Sequence, residues 1–165
     1  MKKQIIILLV IALVIGCASQ TTRTGENTSL SDVLAERNMS FSDVAGKEWK
    51  LVEVYIDNRD IRFSRDSQPE VFRDIFTLNF DGQMVSGTGA PNRYSAPYTL
   101  DENHSISIRP MISTQMAALF EPENLREFDF FAYLQGAYSW GFINNNLVIN
   151  SRTQDGREIR LMFAL

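Results

Sequence analysis

Cysteine and histidine each occur once in this chain, as Cys17 and His104. A lone thiol cannot close an internal disulfide, and one thiol with one imidazole cannot supply the ligands of a usual zinc site. No metal and no cofactor are expected. Nucleophilic catalysis needs a base beside a nucleophile, and His104 follows the polar run Asp101-Glu102-Asn103 with no such partner at a readable spacing. An exposed turn residue is the expectation there. Acids are more plentiful: Asp101, Glu102, Glu121, Glu123, Asp129 and Asp155 fall mostly in loops or at a helix start. A hydrolase using two of them would need about 5–10 Å between them in one cleft, which leaves this as the third reading. Gly87-Thr88-Gly89 lacks the third glycine and the following helix of a dinucleotide fingerprint, so it reads as a twisted strand entering a turn. The best candidates for a ligand or partner surface are Asn92, Arg93, Tyr94 and Tyr98. Asn92 carries donors and an acceptor that suit either a ligand or buried backbone. Tyr94 and Tyr98 lie four apart and share one face of a strand, as core aromatics or as ligand contacts.

Cys17 has a different chemistry. Met1-Lys2-Lys3 is positive, Ile5 to Ile15 is unbroken apolar sequence, and Val14-Ile15-Gly16 leads directly into Cys17. Eleven residues of helix rise only about 16 Å, half a hydrocarbon core, so the run is too short to span a bilayer. The order of these features resembles a bacterial lipobox, in which the cysteine becomes the lipidated N-terminus. Residues 1–16 are thus expected to be a lipoprotein signal peptide, and residues 17–43 a lipidated cysteine with a flexible tether rich in Ser, Thr, Gln and Asn. The expected location is the bacterial cell envelope. Ala18, rather than Asp, follows the cysteine and favours the outer membrane in a Gram-negative host. Cleavage removes Lys2 and Lys3, so the mature chain is more acidic than the formal net charge of −4. That balance argues against a nucleic-acid surface.

These candidates sit on a body that alternates. Phe76, Leu78 and Phe80 alternate with Thr77 and Asn79; Ile159, Leu161, Phe163 and Leu165 alternate with Glu158, Arg160, Met162 and Ala164. Period-2 patterning with one apolar face indicates antiparallel strands. Strands are expected near 48–56, 60–64, 75–80, 83–88, 93–100, 105–113, 137–143, 146–151 and 157–164. Asp81-Gly82 and Asp155-Gly156 read as type I′ hairpin turns. Pro122 to Gly136 reads as one amphipathic helix, with Pro122 in the first helical position, Gly136 as the C-terminal cap and Leu125, Phe128 and Phe131 on the buried face. Trp49, Phe128, Trp140 and Phe163 are expected to pack together. The fold class is mainly β with one helix (α+β): an antiparallel, barrel-like sheet of about eight or nine strands wrapped against that helix.

Three segments carry a family resemblance. Gly46-Lys47-Glu48-Trp49-Lys50-Leu51 resembles the Gly-x-x-Trp-x-Leu opening of the META domain, the family that includes the HslJ-like heat-inducible envelope lipoproteins. Gly87 to Tyr98 resembles its Gly-x-x-Gly-Cys-Asn-x-Tyr-x-Gly-x-Tyr centre, and Thr114-Gln115-Met116-Ala117-Ala118 its Thr-x-Met-Ala-Cys segment. The resemblance covers about residues 44–165. It implies a compact barrel-like sheet against one helix, no established enzymatic activity, and a link to stress tolerance. The family's two cysteines fall on Pro91 and Ala118, so any bridge between them is absent here. Its glycines at Ala90 and Ala96 are also replaced, and those backbones are expected to avoid positive φ.

The expected function is that of a lipid-anchored, non-enzymatic envelope protein, serving as a stress-related interaction or folding-support module. A lipid- or peptide-binding module using the barrel mouth is the alternative. Expected partners are the membrane, through the anchor, and an envelope protein or apolar ligand, with the protein a monomer.

Overall fold

The computed structural model describes residues 40–57, 59–63, 70, 73–117, 122 and 124–165. Cys17, the leader, the tether up to residue 39, Ala118, Glu121 and Glu123 lie outside the described residues. The strands, in chain order, are β1 (Trp49–Ile56), β2 (Arg59–Arg62), β3 (Thr77–Asp81), β4 (Met84–Thr88), β5 (Arg93–Asp101), β6 (Ser105–Ile108), β7 (Ile112–Ser113), β8 (Ala137–Ile143), β9 (Asn146–Arg152) and β10 (Glu158–Ala164). A helix, α1 (Glu127–Gln135), precedes β8. The hydrogen-bonded order β10-β9-β8-β6-β5-β4-β3-β1 closes on itself because β1 also pairs with β10, Lys50 opposite Ala164 and Ile56 opposite Ile159. The result is an eight-stranded antiparallel barrel, with β2 added beside β1 and β7 beside β5.

Closure requires the sheet to curl. Register shifts between Leu51 and Glu53 in β1 and between Ala137 and Ser139 in β8 supply the bends, as bulges do at barrel corners. Proline divides the strand expected over 105–113. Arg109, Pro110 and Met111 separate β6 from β7, and Pro110 has no N–H to offer a ladder. Pro97 sits in β5 where that strand changes partners, from β7 to β6, and its carbonyl still accepts the Arg109 N–H at 2.8 Å. The missing donor faces Arg109, so this pair keeps one of the two bonds that an antiparallel pair exchanges, at the point where β6 ends.

The turns follow backbone chemistry more closely than dipeptide spelling. Gly82 and Gln83 are the two central residues of the β3–β4 hairpin, and only Gly82 has positive φ, the II′ pattern instead of I′. The β9–β10 connection instead closes through Thr153 and Arg157, with Gly156 left-handed in a three-residue loop. The I′ pattern belongs to Asn144-Asn145, which are both left-handed between Ile143 and its partner Asn146.

The barrel interior is filled by Trp49, Leu51, Leu78, Phe80, Leu147, Ile149, Leu161 and Phe163, all essentially inaccessible. At one end Phe41, on a short 3-10 turn, packs against Phe80, Tyr98 and Trp140. At the other, α1 inserts Phe130 against Phe76 and Tyr94. Phe76 adopts φ 51°, and the four consecutive residues Ile75 to Leu78 around that kink are all buried. The helix differs from its expectation in two ways. It begins at Glu127 with Arg126 as the flanking residue, not at Pro122. Its buried face is Phe130 and Leu134, while Phe128 is 75% exposed, so Phe128 does not join Trp49, Trp140 and Phe163 in the core. Six of the nine helical residues are apolar, and such a segment carries no unique apolar stripe to fix its rotation.

Candidate functional site

The first residue of α1 is where the chain's distant parts meet. Glu127 Oε1 accepts the backbone N–H of Ala90 at 2.5 Å and that of Asn92 at 2.6 Å. Its Oε2 accepts Asn92 Nδ2 at 2.7 Å. Asn92, itself buried, then turns to the segment after β7: Nδ2 donates to Met116 O at 3.2 Å, while Oδ1 accepts Met116 N–H at 2.7 Å and Thr114 Oγ1 at 2.8 Å. A backbone donor and a backbone acceptor on Met116 thus fix the amide's orientation. The position also suits a carboxylate because a helix N-terminus is its electropositive end. Gly89 makes the approach possible: a Cβ there would stand 2.5 Å from Glu127 Oε1 and 2.7 Å from Phe131. Three segments remote in sequence are tied by one carboxylate and one carboxamide.

This junction accounts for the conspicuous polar residues around it. The Tyr94 hydroxyl donates to Thr77 O at 2.7 Å, and burial pushes its phenol far above the ordinary tyrosine range. The Tyr98 hydroxyl donates to Gly82 O at 2.9 Å; burial, and secondarily the Asp81 carboxylate, raise its pKa. The two rings share a face, as the four-residue spacing requires, but Tyr94 lies under α1 and Tyr98 under Phe41, at opposite ends of the barrel. Arg93 is exposed and borders a shallow depression of about 320 Å³ with Ile112 and Thr114. Ala90 and Ala96 have negative φ. Of the four candidates, the structure gathers Asn92 into the junction and places Tyr94 one layer beneath it. Tyr98 is remote, and Arg93 faces outward.

His104 lies within the β5–β6 turn at φ 60°, exposed, with its ring 4.7 Å from that of Trp140. The acids are dispersed. Asp129 pairs with Arg126 at 2.9 Å on α1, and Asp155 with Arg157 at 2.9 Å on the β9–β10 turn. Among the described residues, no three His, Cys, Asp or Glu side chains converge as a metal site would need. The sequence reading missed Glu127 as a member of the site. Its presence in the first helical turn was the available signal; its bonds to the loop 35 and 37 residues earlier were not.

A closed antiparallel barrel, sealed at one end by a helix whose first carboxylate holds the loop before β5, defines the class of protein. The chain belongs to the META domain family, whose model matches residues 42–162. It is similar to the solved NMR structure of a protein from Burkholderia xenovorans, with a TM-score of 0.53 at 17% identity over 74% of this chain and 85% of that one. At that identity the likeness concerns the fold alone. A crystal structure of a DUF4847-family protein from Bacteroides vulgatus ATCC 8482 aligns with a TM-score of 0.48 at 14% identity, over 74% of this chain and 95% of that one. No curated protein matches the sequence.

Proposed function

We propose that this chain is a lipid-anchored, non-enzymatic protein of the cell envelope, in which a META barrel serves as an interaction or folding-support module linked to stress. The observation that carries the reading is the expenditure of polar groups on the fold itself. Asn92 and Glu127 bond to each other and to backbone, and the Tyr94 and Tyr98 hydroxyls bond to carbonyls. The residues most suggestive of chemistry hold a scaffold together. The interior is occupied by side chains from both ends, which favours an interaction scaffold over an apolar ligand in the barrel mouth. The anchor rests on Gly16-Cys17 at the end of the apolar run. The test is fractionation of cells expressing the full chain and its Cys17→Ser variant, with metabolic labelling by a radioactive fatty acid. Label and membrane association are expected for the first and loss of both for the second; unchanged sedimentation of an unlabelled protein defeats the anchor.

A further inference from the structure

We propose that the channel between the outer edge of β7 and α1 binds an extended peptide by strand addition, through an apolar side chain followed by a carboxylate. The proposal rests on the interaction-module reading and names its surface. Thr114 N–H donates to Arg93 O at 3.0 Å, and Ile112 lies opposite Ser95. Backbone groups alternate sides along a strand, so Thr114 and Ile112 point toward β5 and Ser113 points away from it. The Ser113 N–H and C=O have no hydrogen-bond partner among the described residues. They border a channel of about 660 Å³. An unpaired donor and acceptor beside a groove are what an added strand requires, with pockets for alternate side chains supplying selectivity.

The apolar lining supplies those pockets. Met111, Phe128, Phe131 and Ala132 line the channel, and they explain an oddity of α1: its Phe128 is 75% exposed although a large aromatic ring faces water at a cost. Arg152 and Arg157 line the same channel. Each already holds an acid, Arg152 on Glu158 and Arg157 on Asp155 and Asp57, and a guanidinium has further N–H groups to offer. Among the described residues, Asp129 is the one carboxylate lining the channel, and Arg126 pairs with it. The described lining thus holds two guanidinium groups against one carboxylate, and their remaining N–H groups suit an anionic group on the incoming chain, such as an acidic side chain or a terminal carboxylate.

The test uses the full chain in detergent, immobilised and presented with a phage-displayed library of random peptides of about nine residues, long enough to cross the channel in extended form. Enriched peptides should carry an apolar residue followed by an acid. Their binding should perturb the amide resonances of residues 111–114 and 128–132. Ser113→Pro deletes the outward N–H without removing any bond to β5, and Phe128→Ala deletes an exposed ring. Each should weaken a selected peptide about tenfold or more, with the urea midpoint unchanged, while Ser113→Thr binds as the parent does. The proposal is overturned if no peptide is enriched, if selected peptides bind both variants undiminished, or if their perturbations fall elsewhere. It is overturned equally if the channel in solution is filled by residues 118–123 of the same chain or by a second copy. Loss of the lipid anchor in the Cys17→Ser experiment would leave these outcomes untouched, so the two readings fail separately.

Discussion

Replacing Glu127 by Gln changes one oxygen to an amide nitrogen, and the junction has no orientation that accepts it. If the oxygen of the new carboxamide keeps the Ala90 and Asn92 N–H groups, its NH₂ meets Asn92 Nδ2, and two donors face each other across 2.7 Å. Turning the new carboxamide over directs its NH₂ at two backbone donors instead. Turning Asn92 over sets its Nδ2 against the Met116 N–H and its Oδ1 against the Met116 carbonyl. The loss therefore comprises one hydrogen bond removed and two downgraded from charged to neutral acceptor. A bond to a charged group contributes about 1.5–3 kcal/mol and a neutral one about 0.5–1.5 kcal/mol, so the variant should lose about 2–4 kcal/mol after discounting for partial exposure. Urea unfolding followed by tryptophan fluorescence would read this as a lowered midpoint at unchanged slope. The partner substitution sharpens the test. Asn92→Asp alone sets a second carboxylate oxygen against Glu127 Oε2, whereas Asn92→Asp with Glu127→Gln restores a donor facing an acceptor. The double variant should be more stable than the two single losses sum to, by at least about 1 kcal/mol of coupling. Additive losses, or a Glu127→Gln cost below about 0.5 kcal/mol, would refute the claim that this carboxylate locks the helix to the barrel.

Three further outcomes follow from the same geometry. Phe130→Ala should cost about 3–5 kcal/mol, the usual penalty for a buried Phe, while Phe128→Ala should cost under about 1 kcal/mol; equal losses in urea melts would place the helix in the wrong rotation. Burial raises the Tyr94 phenol above its unfolded value, so its neutral form contributes no pH dependence below about pH 10, where both states keep the proton. Above that pH only the unfolded chain releases it, and stability should fall as pH rises. Tyr94→Phe should flatten that alkaline decline while lowering stability at neutral pH by about 1–3 kcal/mol, because Thr77 O loses its donor; an unchanged alkaline slope by fluorescence melts would contradict this. Gly89→Ala should destabilise although its φ is ordinary, since the new methyl would strike Glu127 and Phe131; a melting temperature equal to the parent's would mean that the helix yields there without cost.

The barrel strands were legible in the sequence because most of them bury alternate residues, a pattern that the exposed β2 and β7 lack. Their closure was not legible. The pairing of β1 with β10 joins residues more than a hundred positions apart and leaves no local mark. The helix shows the same division. That a helix lies between Pro122 and Gly136 follows from composition and punctuation, and Gly136 does close it. Where it starts is set by Glu127, whose carboxylate has backbone partners only after the loop before β5 has arrived. Which face turns inward is set by Phe76 and Tyr94, the rings that Phe130 meets. A pattern with Phe at 128, 130 and 131 satisfies two rotations equally, and tertiary contact chooses between them.

The same reasoning recasts the polar residues that first attracted attention. Asn92, Tyr94 and Gly87 stand in a recognisable motif, yet each meets a backbone group. Asn92 meets Met116, Tyr94 meets Thr77, and a Cβ on Gly87 would stand 2.1 Å from that same Thr77 carbonyl. A motif of this kind specifies how strand β3, the loop before β5, the segment after β7 and the helix lock together. Pro91, at the position of a family cysteine, lies inside this lock, between the Ala90 and Asn92 N–H groups that Glu127 binds. The loop around it is therefore held here by a carboxylate, and the junction does not depend on a thiol at that place. Its other expected cysteine position, Ala118, follows Met116 by two residues, just past the backbone that Asn92 grips. Chemistry that differs among relatives is thus best sought away from the lock, on surfaces such as the β7 edge, where backbone groups and apolar side chains are left over after the fold has used what it needs.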